Sequence, residues 1–314
     1  MRAILTALLL LLPALAASLP AAAGPTERGR PVEVEAAPVE VPGEYHRTVR
    51  PLGAWALDSA DPAFGGLSGL LVEGGRLTAV TDRGQWLTAR LAREGDRLAP
   101  ARARMAPMRG PDGSALTGAG RDAEGLARLG GTLHVSFERD HRIMRHAGAG
   151  RLSEGTRARA FDALAGNAGL EGLAALPGGA LLAIAEGAGD GGFPMWRLEP
   201  GGTLRRALLP RPSRHAVTGA DLAPDGRLLV LFRHFSPLAG VSIRLRAYPI
   251  GAEGWPDPAG MTELAAWQGL SGIDNMEAVA AAPDGAGGTV IWILSDDNFN
   301  FPQRTLLVAL ALGP

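Results

Sequence analysis

Four acidic residues, Glu124, Glu171, Asp221 and Glu277, each open a short apolar segment, and Ser68 opens a fifth of the same form. A second acidic set, Asp82, Glu138, Glu186 and Asp296, follows the apolar run that comes next; in the fourth unit Arg233-His234 stands there instead. Carboxylates gathered within a few Å either raise one another's pKa or share a cation. Hard oxygen donors of this kind suit Ca²⁺, which accepts irregular shells of six to eight oxygens. Arg83, Arg139, Arg233 and Arg304 lie beside these acids and could hold a small anionic, phosphate-like molecule through forked hydrogen bonds. His234 adds a group able to exchange protons near neutral pH. The same charges admit a structural reading, in which each Glu accepts from backbone N–H groups or pairs with an Arg of a neighbouring unit.

Other chemistries are poorly supported. The chain has no Cys and no Lys, all 31 of its Lys-plus-Arg residues being Arg, which excludes thiol, Schiff-base and Walker-type lysine chemistry. Ser68 and Ser271 sit in Gly-Leu-Ser-Gly contexts, but neither completes a nucleophile elbow. Asp296-Asp297-Asn298-Phe299-Asn300 partly follows the oxygen spacing of a calcium loop, yet Phe301 stands where an EF-hand needs Gly and Leu307 where it needs Glu. An Asx-rich turn is the plainer reading of that run.

The elements that would position these residues form a repeat. The five segment starts lie roughly 47 to 56 residues apart, the period of a propeller blade. Each is followed by a turn pair, Gly74-Gly75, Gly130-Gly131, Gly178-Gly179, Asp225-Gly226 or Asp284-Gly285, of the kind that accepts the positive φ of tight hairpins. Near-continuous apolar strands come next, as in Leu133 to Phe137 and Leu228 to Phe232, which implies cover on both faces, as in a blade between two others. Strand starts and second-strand ends meet at one edge of an antiparallel pair, so both acidic sets should converge on one face. The last unit supplies three strands, and Thr48 to Leu57 can supply a fourth and close the ring. The expected fold is all-β, a five-bladed β-propeller, or six-bladed if the Arg-rich stretch 102–121 folds as a further unit rather than as a long loop.

The ordered series Gly65-Gly66-Leu67-Ser68-Gly69-Leu70, Thr81-Asp82-Arg83-Gly84, Asp122-Ala123-Glu124-Gly125-Leu126, Ser136-Phe137-Glu138-Arg139, Gly169-Leu170-Glu171-Gly172-Leu173, Asp274-Asn275-Met276-Glu277 and Ser295-Asp296-Asp297-Asn298-Phe299 resembles the phytase-like propeller family, labelled for the esterase-like activity of phytase. The resemblance spans about Leu52 to Leu312. It implies a propeller in an exported bacterial protein, with hydrolysis of phosphoesters or related esters, and brings no agreed catalytic residues. Propeller phytases use several calcium ions and a set of Lys and Arg to hold phytate; a chain without Lys departs from that pattern. The rival expectation is a non-catalytic propeller that binds a ligand or an envelope protein.

The ends set the location. Met1-Arg2, an apolar run from Ala3 to Ala17 and Ala21-Ala22-Ala23 before Gly24 have the order of a secretory signal peptide. The apolar run is broken by Pro13 and is too short to span a bilayer. The expected organisation is a signal peptide over 1–23, a tether or edge strand over 24–44 and the propeller over 45–314. The expected location is periplasmic or secreted, with no membrane span expected after cleavage. A formal net charge of −1 argues against nucleic acid as a partner.

Overall fold

The protein, represented by a computed structural model, is described over residues 24–313 except 95–96, 163, 165–167, 188, 190, 213 and 270–271. The leader and Ser271 lie outside these residues. Five antiparallel sheets follow one another around a ring, and their first strands, Leu67–Glu73, Ala123–Leu129, Gly172–Leu176, Ala216–Leu222 and Asn275–Pro283, are neighbours about the axis. The chain is a five-bladed β-propeller.

The second strand of each blade shows why the apolar runs are continuous. In the fourth blade Leu228, Val230 and Phe232 pack toward the third blade, while Leu229 and Leu231 pack toward the fifth. Period-two alternation thus feeds two cores at once. Five apolar clusters among the described residues fill the five seams between adjacent blades.

The ring closes through the N-terminal strand. Val49–Asp58 pairs antiparallel with Thr305–Leu312, completing the fifth blade, and buries Trp55 in the seam with the first blade. The segment before it borders three blades: Arg30–Pro31 pairs with the outer strand of the first, Glu35–Pro38 with Val49–Asp58 of the fifth, and Glu44–Tyr45 with the outer strand of the fourth. The 102–121 stretch forms no sixth blade. Its first residues complete the outer strand Arg97–Pro107 of the first blade, and the rest is loop with one short 3-10 turn at Gly118–Arg121. No helix among the described residues is long and apolar enough to cross a membrane.

A recurrent glycine sets how tightly the ring closes. Gly69, Gly125, Gly172 and Gly219 occupy one position of successive inner strands, and Ala278 takes the fifth. A Cβ on Gly125 would lie 2.6 Å from Ser136 Oγ, 2.8 Å from Leu173 Cβ and 3.2 Å from the Glu171 carbonyl oxygen. On Gly69 it would meet the Glu124 carbonyl at 2.6 Å, and on Gly219 the Glu277 carbonyl at 3.0 Å. The neighbouring strand therefore occupies the space a side chain would need. Hydroxyls lock some of these seams: Ser136 Oγ accepts from Gly125 N at 2.8 Å and donates to the Leu170 carbonyl at 2.6 Å, and Thr218 Oγ1 donates to the Met276 carbonyl at 2.9 Å.

Deleting the chain through Leu57 exposes the edge of Thr305–Leu312 and should abolish soluble monomer; a truncated monomer with unchanged melting, seen by size exclusion and calorimetry, would refute closure by this strand. Gly125→Ala overpacks the seam between the second and third blades and should cost about 1–3 kcal/mol in denaturant unfolding.

Candidate functional site

The residue before each recurrent glycine sits where the pairing of the first two strands begins or slips. Register shifts fall at Leu67/Gly69, Val217/Gly219 and Met276/Ala278 on the inner strands, and the second blade shifts beside Glu124. A bulge re-aims its side chain. These irregularities make Ser68, Glu124, Glu171, Thr218 and Glu277 one equivalent set around the top of the channel. Asp82, Glu138, Glu186, Arg233 and Asp296 form the matching set at the second-strand ends, beside the chain entering each blade. Both sets converge on one face.

Asp221 does not belong there. It pairs with Leu229 next to the hairpin turn, at the opposite end of its strand. Its carboxylate accepts from Leu222 N and from Ala281 N of the fifth blade, each at 2.8 Å. Burial pushes its pKa up to about 7, against the effect of those two donors. The true counterpart in the fourth blade is Thr218. The acidic character of Asp221 suggested equivalence, but it stands only four residues before Asp225-Gly226, whereas the other members stand six or seven before their turns. Constant offset from the turn would have found Thr218.

Two carboxylate trios form on the second and third blades: Asp122, Glu124 and Glu138, and Glu138, Glu171 and Glu186. Within each, one oxygen per residue lies within 4.8 Å of the others. Asp122, absent from the candidate acids read from the sequence, joins because it lies two residues before Glu124 and on the same side of an extended chain. Among the described residues no hydrogen bond or ion pair reaches the carboxylates of Glu124 or Glu171, and Glu171 is only 8% exposed. Burial raises Glu124 well above the usual carboxylate range, helped by the Glu171 charge; burial and then the Glu277 charge do the same to Glu171. Glu138 is pushed up to about 7 by burial and by Asp122. Glu186 is also raised by burial, against the pull of Arg233.

The remaining charges are partnered differently. Arg233 Nη1 donates to Glu277 Oε1 at 2.7 Å and to Asn275 Oδ1, and its Nη2 lies 3.6 Å from Glu186. Asn275 Nδ2 also donates to Glu277 Oε1 at 2.7 Å. Burial still raises Glu277 to about 8 despite the arginine. Arg139 Nε donates to Asp122 Oδ2 at 2.5 Å and lies 3.4 Å from Glu138, so it caps the first trio. Arg83 stacks on Phe299, 3.2 Å from the ring centroid. Burial and then the Asp122 charge raise Asp82 to about 6; burial raises Asp296 to about 7, with the Asp82 charge adding to it across the seam of the first and fifth blades. Asp82 Oδ1 is buried with no hydrogen-bond partner among the described residues. The 296–300 run folds as Asx turns: Asp296 accepts from Asn298 N at 2.7 Å, while Asp297 accepts from Phe299 N at 3.1 Å and from Gly66 N at 2.9 Å.

Below the acids the channel is nearly filled, leaving a void of about 10 Å³, room for about one water. Beside them opens a groove of about 1050 Å³ between the fourth and fifth blades, lined in part by Arg214, Arg233, His234 and Arg304. His234 lies 5.8 Å from the His215 ring. Ser68 is buried, its hydroxyl directed to the Gly66 carbonyl at 3.4 Å. The face therefore joins a half able to hold a hard cation to a half able to hold an anion.

Among solved structures, a glutaminyl cyclase from Myxococcus xanthus is similar over 91% of this chain and 100% of its own, at 17% identity and a TM-score of 0.47. A gluconolactonase from Xanthomonas campestris matches over 90% and 99%, at 13% identity and a TM-score of 0.49. An α-L-arabinofuranosidase from Podospora anserina matches over 90% and 98%, at 11% identity and the same TM-score. No curated protein matches in sequence. The model of the family described as phytase-like, with the esterase-like activity of phytase, matches residues 62–299, which carry all five inner strands and both rings of charge; the chain belongs to that family.

Proposed function

We propose that this chain is an exported ester hydrolase that holds a divalent cation, Ca²⁺ by the character of its donors, on Asp122, Glu124, Glu138, Glu171 and Glu186, and takes the anionic part of a phosphoester or related ester beside it. The observation that carries this reading is the pair of partnerless carboxylates, Glu124 and Glu171, next to three further acids. Charge largely withdrawn from water without a protein partner is costly, and beyond what water at the rim can offset it is relieved by protons or by a cation. The donor set fits a hard cation, being all oxygen and irregular, and Arg233, 3.6 Å from Glu186, connects it to the groove. Family membership supports ester hydrolysis, and the order of residues at the N-terminus supports export.

The bound ion would lower the pKa of a water and polarise the scissile group. The chain's own part is positional. Glu277 and Asn275 hold the Arg233 guanidinium on the groove wall, where it can stabilise negative charge developing on the ester. His234, beside it, can donate the proton that the departing alcohol requires as the ester bond breaks and the bond to water forms. Arg139 neutralises Asp122 at the outer edge of the acid cluster.

Calcium should raise the melting temperature and a chelator should lower it, by about 2.7 kcal/mol of stability at a hundredfold excess over the dissociation constant. Glu171→Gln should remove most of that gain. Asp221→Asn leaves an acceptor for only one of the two backbone N–H groups and sets an NH2 donor against the other, so it should lower stability by about 1–3 kcal/mol while leaving the calcium response intact. Identical melting with calcium and chelator would refute the cation site.

The pH dependence has a definite sign. Glu138, Asp296 and Glu277 carry folded-state pKa values raised to about 7, 7 and 8. Between the unfolded carboxylate value and these, the folded state keeps protons that the unfolded chain has released, so metal-free stability should fall as pH rises from about 4.5 to about 8. Calcium takes the place of the protons held by the acids of its own site, Glu138 and the burial-raised Glu124 and Glu171, so its stabilisation should be smallest at pH 5 and largest at pH 8. Scanning calorimetry across that range checks both trends.

With saturating calcium, hydrolysis of a generic phosphomonoester or a short-chain ester should be measurable, and Arg233→Gln should slow it about 10²-fold. No turnover of either substrate would overturn the hydrolase reading.

A further inference from the structure

The groove between the fourth and fifth blades is not uniformly polar. Phe235, Val241 and Ile273 share its lining with Arg214, Arg233 and Arg304. Among the described residues four large hydrophobic side chains are exposed, and three of them border this groove: Phe235 at 62% lines it from the end of its strand, Leu238 at 96% sits in the turn between the lining residues Phe235 and Val241, and Phe301 at 95% lies between the lining residues Asn300 and Pro302. Exposed apolar side chains gathered at the rim of one cavity mark a binding surface, whereas single scattered ones need no explanation.

The charges in the groove are unequally engaged. Arg233 is held by Glu277, Asn275 and Glu186. Asp274, the acid in the lining, accepts from Asn275 N at 2.9 Å and from Arg304 N at 3.0 Å. The guanidinium groups of Arg214 and Arg304 make no ion pair among the described residues. The groove thus offers uncommitted positive charge beside apolar walls, within a volume suited to a small molecule.

We propose that this groove binds a phosphoester, or a similar anionic ester, whose alcohol component is apolar, aryl or alkyl, rather than a polyol. Arg214 and Arg304 take the anionic group, and Phe235, Val241 and Ile273 cover the apolar part. The assignment deepens the hydrolase reading and rests on it for the word substrate, while the binding itself does not require turnover.

The experiment measures equilibrium binding of 1-naphthyl phosphate and glycerol 2-phosphate to the full chain in chelator, where hydrolysis is suppressed. Naphthyl phosphate should bind at least about tenfold more tightly, equivalent to about 1.4 kcal/mol. Phe235→Ala should erase most of that preference, and Arg304→Gln should weaken both ligands; both side chains are exposed, so the fold should survive. Equal affinities for the two ligands, or unchanged binding in both variants, would overturn the proposal. Binding to phosphatidylglycerol vesicles but not to naphthyl phosphate would assign these loops to a lipid surface and would equally overturn it. Preferential naphthyl phosphate binding without hydrolysis in calcium would sustain the groove and remove the hydrolase reading; hydrolysis without the preference would do the reverse.

Discussion

The close approach of the five inner strands governs everything at the top of this molecule. At the glycine positions one strand lies where its neighbour's side chain would be, so the ring cannot widen to relieve the residues that follow the same geometry one position earlier. Glu124 and Glu171 are therefore forced into mutual range, and burial adds to their repulsion. A looser ring would let the carboxylates separate and hydrate. The tight ring keeps their charge unresolved within the protein, and an unresolved buried charge is the condition under which a cation gains most from binding.

The fourth blade breaks the pattern in both rings. Thr218 replaces an acid in the inner set and Arg233 replaces one in the outer set, so the site has a direction. The second and third blades gather carboxylates, and the fourth and fifth present guanidinium groups and a groove. Arg233 lies on the boundary, bonded to Glu277 and near Glu186 while lining the groove. Its acidic partners hold its orientation. Glu277 thus serves the arginine, whereas Glu171, equivalent to it by position, has no such partner. Repetition supplied the frame, and the departures from repetition supply the chemistry.

Much of this was legible in the sequence for a simple reason: blade architecture depends on local periodicities. Turn pairs, continuous apolar strands, a last unit one strand short and a spare strand at the N-terminal end predict five blades and their closure by Thr48 to Leu57, because hairpin geometry and two-sided burial act over a few residues. The convergence of Asp82, Glu138, Glu186 and Asp296 with Glu124, Glu171 and Glu277 followed from antiparallel pairing alone. What sequence could not decide was register and partnership. Asp221 resembled its acidic counterparts in type but lies at the other end of its strand, where it binds the backbone of the next blade. Asp122 stood in the same motif as Glu124 without being counted among the candidate acids, and only the folded blade, where its carbonyl accepts from Glu138 N, brings it into the first trio. Phe235 and Leu238 are unremarkable apolar residues in one place along the chain and Phe301 in another, and only the meeting of these two distant segments makes them one rim. The chain by itself determined which residues each blade contributes, since that is a matter of short-range pattern; the tertiary structure decided which charges are paired and which are left facing one another, since that depends on distances between residues that only ring closure brings together.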